Sequence, residues 1–236
     1  MNAVGKVSAL WRYPASSLGG EAVARVDVRE QGVQGDRLFG LVERATGEIA
    51  RPDRGAKWHS VPRIAARLAG DDLEIMVPGG DWLPAPGAGA DAAASAFLGF
   101  DVSIRRFDGQ DFMPRYVAAP VHLLTTASLA RLKALHPAGR PDPRRFRPNL
   151  VIEMPEAEGA FPESAWIGRR LRIGDCELTI SDHCRRCGFT VIAQADFDND
   201  PDILRALVRH NAHNIGVYCT VDRPSRISIG DTFALL

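Results

Sequence analysis

The chain has 236 residues, 45% of them hydrophobic, and its 29 basic side chains balance 29 acidic ones. That composition excludes a disordered chain, and zero net charge argues against a general nucleic-acid binder, which needs an excess of basic groups to neutralise phosphate. No apolar run approaches the roughly 20 residues of a membrane span. The start, "MNAVGKVSALWRYPASS", has Lys6 and Arg12 inside a short mixed run and does not read as a signal peptide. Cys176, Cys184, Cys187 and Cys219 are then expected as reduced thiols in a cytoplasmic protein.

In chain order, Val7, Ala9, Trp11 and Tyr13 alternate with polar residues, which predicts a half-buried strand with those four on one face. Residues 22–30 alternate again, 31–36 turn, and 37–50 read as two strands joined at Thr46-Gly47. Residues 67–83 form a further hairpin-like unit. The segment 84–100 begins as a Pro/Gly/Ala loop and ends in a short helix, marking a boundary between an N-terminal β-rich domain (1–90) and a second domain (91–236). Residues 119–139 predict a strand, a threonine cap and an amphipathic helix with Leu129, Leu132 and Leu135 in its stripe, stopped by Pro137 and Gly139. Strands are expected at 149–154, 170–180 and 215–222, and a helix at 199–213 with Asp200 as N-cap and Pro201 in the first position. The chain ends in two short strands around a glycine turn. The fold class is mainly β with few helices.

Chemistry concentrates in "SDHCRRCGFTV" (181–191). A structural zinc site needs four ligands, and no second CxxC is present. A thioredoxin-like pair needs a helix after the cysteines, whereas "GFTVIAQ" predicts a strand. A nucleophile is favoured electrostatically by Arg185 and Arg186. A soft ligand to a redox metal carried by a cofactor is the fourth option. In an extended segment, residues 184 and 187 differ by an odd number, so the two thiols should face opposite sides. Cys176 and Cys219 read as buried filler.

These residues do not stand alone. "YPASSLGGE" (13–21), "GDRLFGLVERATGEIAR" (35–51), "DPRRFRPNLVIE" (142–153), "FPESAWIG" (161–168), "HCRRC" and "GVYCTVDRPSRISIGD" (216–231) occur in an order that resembles MOSC-domain proteins, the molybdenum cofactor sulfurase C-terminal domain family. The layout, with a β-rich N-terminal domain before a β-barrel, is similar to the mitochondrial amidoxime-reducing component and its bacterial relatives. The resemblance implies a molybdenum–pterin cofactor between two β-rich parts, with Cys187 as the protein's metal ligand and catalytic residue. It implies cofactor contacts from Ser17, Arg37, Arg145, Arg147, Asn149, Arg185 and Thr190. Forked guanidinium groups suit an anionic, phosphate-bearing pterin.

The activity so implied is reduction of N-hydroxylated or other N–O substrates. The partners are a small-molecule substrate and a separate electron-donor protein, because one close cysteine pair is too few for an internal iron–sulfur cluster. Neither nucleic acid nor membrane is expected as a partner. The alternatives are a sulfur carrier using a cysteine persulfide for cofactor maturation, and a non-catalytic cofactor-binding module. Pyridoxal phosphate is associated with MOSC domains through sulfurase partners, but the three lysines (Lys6, Lys57, Lys133) all lie far in sequence from the cysteine motif, and it is discounted. Three positions depart from the usual pattern of amidoxime-reducing members. Ser16 stands where lysine is usual, Ala193 where an acidic residue is usual, and Ser164 where aspartate is usual.

Overall fold

Short alternating segments broken by glycine and proline give short strands, and the chain pairs them mainly over long distances. The structure is a computed structural model describing residues 5–110, 112–113, 119–154 and 161–236. The strands and helices follow in chain order: β1 (Gly5–Arg12), β2 (Glu21–Val23), β3 (Arg25–Arg29), β4 (Gly32–Val33), β5 (Phe39–Glu43), β6 (Ala65–Ala69), β7 (Asp72–Met76), β8 (Leu83–Ala85), α1 (Ala88–Leu98) and β9 (Val102–Arg106). After these come β10 (Val121–Thr125), α2 (Thr126–Leu135), β11 (Leu150–Glu153), β12 (Arg170–Ile173), β13 (Cys176–Arg185), α3 (Pro201–Asn211), β14 (Asn214–Arg223), β15 (Arg226–Ser228) and β16 (Thr232–Leu235).

Seven strands close a barrel in the order β11-β10-β14-β13-β12-β16-β1, sealed by antiparallel β1–β11 pairing, with β2 attached outside on β1. Closure removes the exposed edges that an open sheet of this size would carry. Val7, Leu10, Leu123, Ile152, Leu178 and Phe233 are among the side chains packed in its interior. The fold is mainly β, as expected. A second core gathers Leu41, Trp58, Ile64, Leu73 and Ile75 between the β5–β9 pair, the β6-β7-β8 meander and α1. A third lies under α2 and α3, around Leu132, Phe146, Ile203 and Leu207.

Several predicted elements form as read. Thr125 caps α2 by accepting from Ser128 N, and Asp200 caps α3 with Pro201 in its first turn. Others differ for identifiable reasons. On β1 the register shifts between Val7 and Ala9, so Val7 and Leu10 are buried and Ala9 is not; the bulge breaks the period of two. The second strand expected in 37–50 shrinks to a single Val42–Ile49 bridge, because β5 takes β9 as its partner. The two C-terminal strands do not pair with each other; β15 joins β3, while β16 lies between β12 and β1. Residues 188–194 are not a strand but begin with a 3-10 turn at Gly188–Thr190. No helix among the described residues is long and apolar enough to cross a membrane.

Glu163 ties the third core to the barrel. Its fully buried carboxylate accepts from Thr125 Oγ1 (2.8 Å), Ser128 Oγ (2.6 Å) and Gly216 N (3.0 Å). Burial raises its pKa above the ordinary value, opposed by those hydrogen bonds. A carboxyl with a raised folded pKa binds its proton more tightly when folded. Its contribution is therefore fully present below the unfolded value of about 4.3 and is lost as pH rises through the folded value. Denaturant unfolding across that window should show stability falling with pH, and Glu163→Gln should flatten the slope.

Candidate functional site

Strand β13 delivers the cysteine motif to a cavity. Cys184, inside the strand, is fully buried, whereas Cys187, two residues beyond its end, is exposed; the register shifts between His183 and Arg185, so the difference is one of burial rather than of strand alternation. Cys187 opens the 3-10 turn. Its carbonyl accepts from Thr190 N (3.2 Å) and Thr190 Oγ1 (3.0 Å), which fixes the backbone where the thiol emerges. A cavity of about 650 Å³ stands over it, lined by Ser17, Arg37, Pro52, Asp53, His122, Phe146, Arg147, Ser181, Asp182, Arg185, Arg186, Cys187, Phe189 and Tyr218, among others. Its wall thus combines the N-terminal segment with barrel strands β10, β13 and β14.

Of the expected site residues, Ser17, Arg37, Arg147, Arg185 and Cys187 meet at this cavity. Ser17 (φ 70°), Arg37 (φ 52°) and Arg147 (φ 54°) all hold left-handed backbone conformations without being glycine. Such conformations cost about 1–3 kcal/mol each and concentrate where function fixes the geometry. Arg37 pairs with Asp36, and its Nη2 donates to Arg147 O at 3.4 Å. The Arg147 guanidinium lies 4.1 Å over the Tyr13 ring and donates to Leu18 O and Ala15 O, stitching the N-terminal segment to the barrel. Arg185 is exposed, and among the described residues no hydrogen bond or ion pair engages its guanidinium.

Three expected residues are not in the cavity wall. The Arg145 guanidinium is buried and donates to Arg140 O (3.1 Å), Thr190 O (3.2 Å), Ile192 O (3.4 Å) and Asp198 O (2.6 Å). It is the clamp of the loop after Cys187, and this clamp is why "GFTVIAQ" does not run on as a strand. Asn149 is buried too; its Oδ1 accepts from His122 N (3.1 Å) and its Nδ2 donates to Trp11 O (3.4 Å), joining β10 to the end of β1. Thr190 acts through the Cys187 carbonyl. Arg186, expected to favour a thiolate at either cysteine, approaches Cys184 Sγ at 2.6 Å.

The sequence reading missed His122, Tyr218, Asp53 and Asp182. His122 lies in the apolar run "VHLLT" and reads as core, and Tyr218 faces it across the β10–β14 pair. Asp53 belongs to a segment that packs on Gly188, where a Cβ would come 3.3 Å from Asp53 O. No local pattern announces that approach. Of the departures noted above, Ser16 is buried and its hydroxyl has no partner among the described residues, and Ser164 Oγ lies 3.5 Å from Asn211 Nδ2. Neither lines the cavity.

The MOSC domain matches residues 96–234, and the MOSC N-terminal beta barrel domain matches residues 4–121. The chain belongs to the MOSC family. Among solved structures, this MOSC protein is similar to the YuaD protein of Bacillus subtilis, at 14% identity over 98% of this chain and 94% of that one, with a TM-score of 0.52. YiiM of Escherichia coli matches over 100% of this chain and 70% of its own, at 12% identity and a TM-score of 0.43. Curated proteins offer no match. At 14% identity the likeness to the YuaD protein speaks to the fold alone.

Proposed function

We propose that the cavity holds a molybdenum–pterin cofactor and that this MOSC protein is an oxidoreductase acting on N-hydroxylated or other N–O substrates, with electrons from a separate donor protein. One observation carries the reading. Cys187 is the exposed thiol among four cysteines, and its cavity is lined by four arginines, Arg37, Arg147, Arg185 and Arg186. The family is associated with molybdenum cofactor binding. The donor set fits such a group: a soft sulfur for the metal, and forked cations for an anionic pterin. Among the described residues no cluster of three or more His, Cys, Asp or Glu is grouped to hold a metal, so most ligands would come with the cofactor.

When bound, the cofactor supplies two-electron oxygen-atom transfer at its metal. The chain's own work is to hold and orient. Cys187 would be the metal ligand, its backbone set by Thr190. Arg37, Arg147 and Ser17 would meet the pterin from the N-terminal side, and Arg185 would meet its anionic end. Arg145 and Asn149 support these groups from within the protein. Phe146 and Phe189 supply apolar wall to the cavity of Cys187 and would limit water around a group bound there.

Arg185→Ala tests the anion contact, because this side chain holds nothing else. Losing one charge-assisted hydrogen bond weakens binding by about 1.5–3 kcal/mol. Pterin and molybdenum content should fall while the melting temperature stays unchanged; full occupancy in the variant would remove Arg185 from the site. Exposure of Cys187 also suits a sulfur carrier, which would be isolated with a persulfide and without molybdenum.

A further inference from the structure

The cavity over Cys187 carries both signs of charge. Its four arginines share the wall with two carboxylates, Asp53 and Asp182, which the proposed cofactor contacts leave unused. The two come from distant parts of the chain. Asp53 sits in a tight turn after β5, where Arg54 N and Gly55 N both donate to Arg51 O. The main chain of this turn rests on Gly188, the residue after Cys187; a Cβ at Gly188 would lie 3.3 Å from Asp53 O and 3.8 Å from Asp53 Cα. The turn is thereby fixed beside the thiol.

Asp182 arrives through a break in strand geometry. Consecutive residues of a regular strand face opposite sides, yet Ser181 and Asp182 both line the cavity. The β13–β14 register shifts between Ile180 and Asp182, and such a bulge re-aims side chains. Across the pair, Asp182 stands opposite Tyr218, another residue of the wall.

Among the described residues, no ion pair joins either carboxylate to any of the four arginines. The arginines have partners elsewhere: Arg37 pairs with Asp36, Arg147 donates to Leu18 O and Ala15 O, and Arg186 donates to Phe146 O at 2.9 Å. Asp53 pairs with Arg54 of its own turn at 3.6 Å, and the Arg54 side chain is 69% exposed, so that pair holds the carboxylate weakly. Asp182 accepts from His183 N at 2.7 Å. A carboxylate offers about four lone-pair sites, so each keeps capacity to accept more. Opposite charges that line one cavity without neutralising each other divide it into two poles.

We infer that Asp53 and Asp182 are specificity residues: they hold the positively charged group of a ligand entering this cavity, so the N–O compounds suited to the site also carry an amine or a guanidine. Ammonium and guanidinium groups have donors alone, and a carboxylate accepts from either. The arginine pole takes the anionic cofactor, and the carboxylate pole takes the cationic end of the substrate. Naming that ligand a substrate rests on the proposed cofactor site; the carboxylate pole does not.

Calorimetry on the purified chain compares phenylguanidine, a cation, with phenylurea, its neutral counterpart of similar shape. Phenylguanidine should bind about tenfold or more tightly, the worth of one charge-assisted hydrogen bond, and should weaken as salt is raised. Asp53→Asn and Asp182→Asn should each remove most of that preference while melting temperatures hold, since both residues are exposed. In molybdenum-loaded protein, kcat/KM for 4-(aminomethyl)pyridine N-oxide relative to 4-methylpyridine N-oxide should fall in both variants. No binding of phenylguanidine, equal affinity for the two probes, or a preference untouched by both substitutions overturns the inference, whatever the metal content. A preference lost in the variants of a chain that never carries molybdenum upholds the carboxylate pole and counts against the cofactor reading instead.

Discussion

Cys187→Ser is expected to yield a folded protein without molybdenum and without reductase activity. The side chain is exposed, so serine should leave thermal stability within about 0.5 kcal/mol of the parent, as surface substitutions do. A hydroxyl does not reproduce the softness of a thiolate, so the loss of metal should be near complete. Metal content, metal-centred spectra and N-hydroxy reduction should fall together. Cys184→Ser should behave differently, because that sulfur is buried against Arg186 rather than open to the cavity. Its expected effect is a displaced Arg186, with metal partly retained. Equivalent behaviour of the two variants would contradict the assignment of Cys187 and favour a shared site for both thiols.

Arg145→Ala is expected to cost stability rather than to act through a ligand. Four carbonyls, from Arg140, Thr190, Ile192 and Asp198, would lose their donor in a buried place. Removing a buried cation that serves several acceptors should cost about 3–5 kcal/mol. Lysine should not rescue it, since an ammonium is a point and the acceptors lie around a fork. Urea unfolding measures the loss, and proteolysis should concentrate after Cys187. A change below about 1 kcal/mol would show that the loop is held by other means.

Much of the element order was legible because it is local. The Thr125 and Asp200 caps worked as read. Barrel closure was legible only through the family resemblance, since pairing of Lys6 with Glu153 leaves no mark in either segment. The same limit governed the site. The arginines of "RRFRPN" could be grouped by composition, but nothing in the run says that Arg145 turns inward to a loop while Arg147 turns to the cavity wall. The apolar run after Cys187 has strand-like residues, and the buried clamp overrides that preference. A single histidine in "VHLLT" looks like core until it is seen in the cavity wall.

The central claim is that Cys187 and its arginines hold a redox-active molybdenum cofactor. Elemental analysis and optical spectra of wild-type protein, purified from a host that makes the cofactor, address it directly. The account predicts stoichiometric molybdenum that is reduced by a chemical reductant and reoxidised on adding an N-hydroxylated compound. Protein free of molybdenum, isolated instead with a persulfide on Cys187, would contradict it.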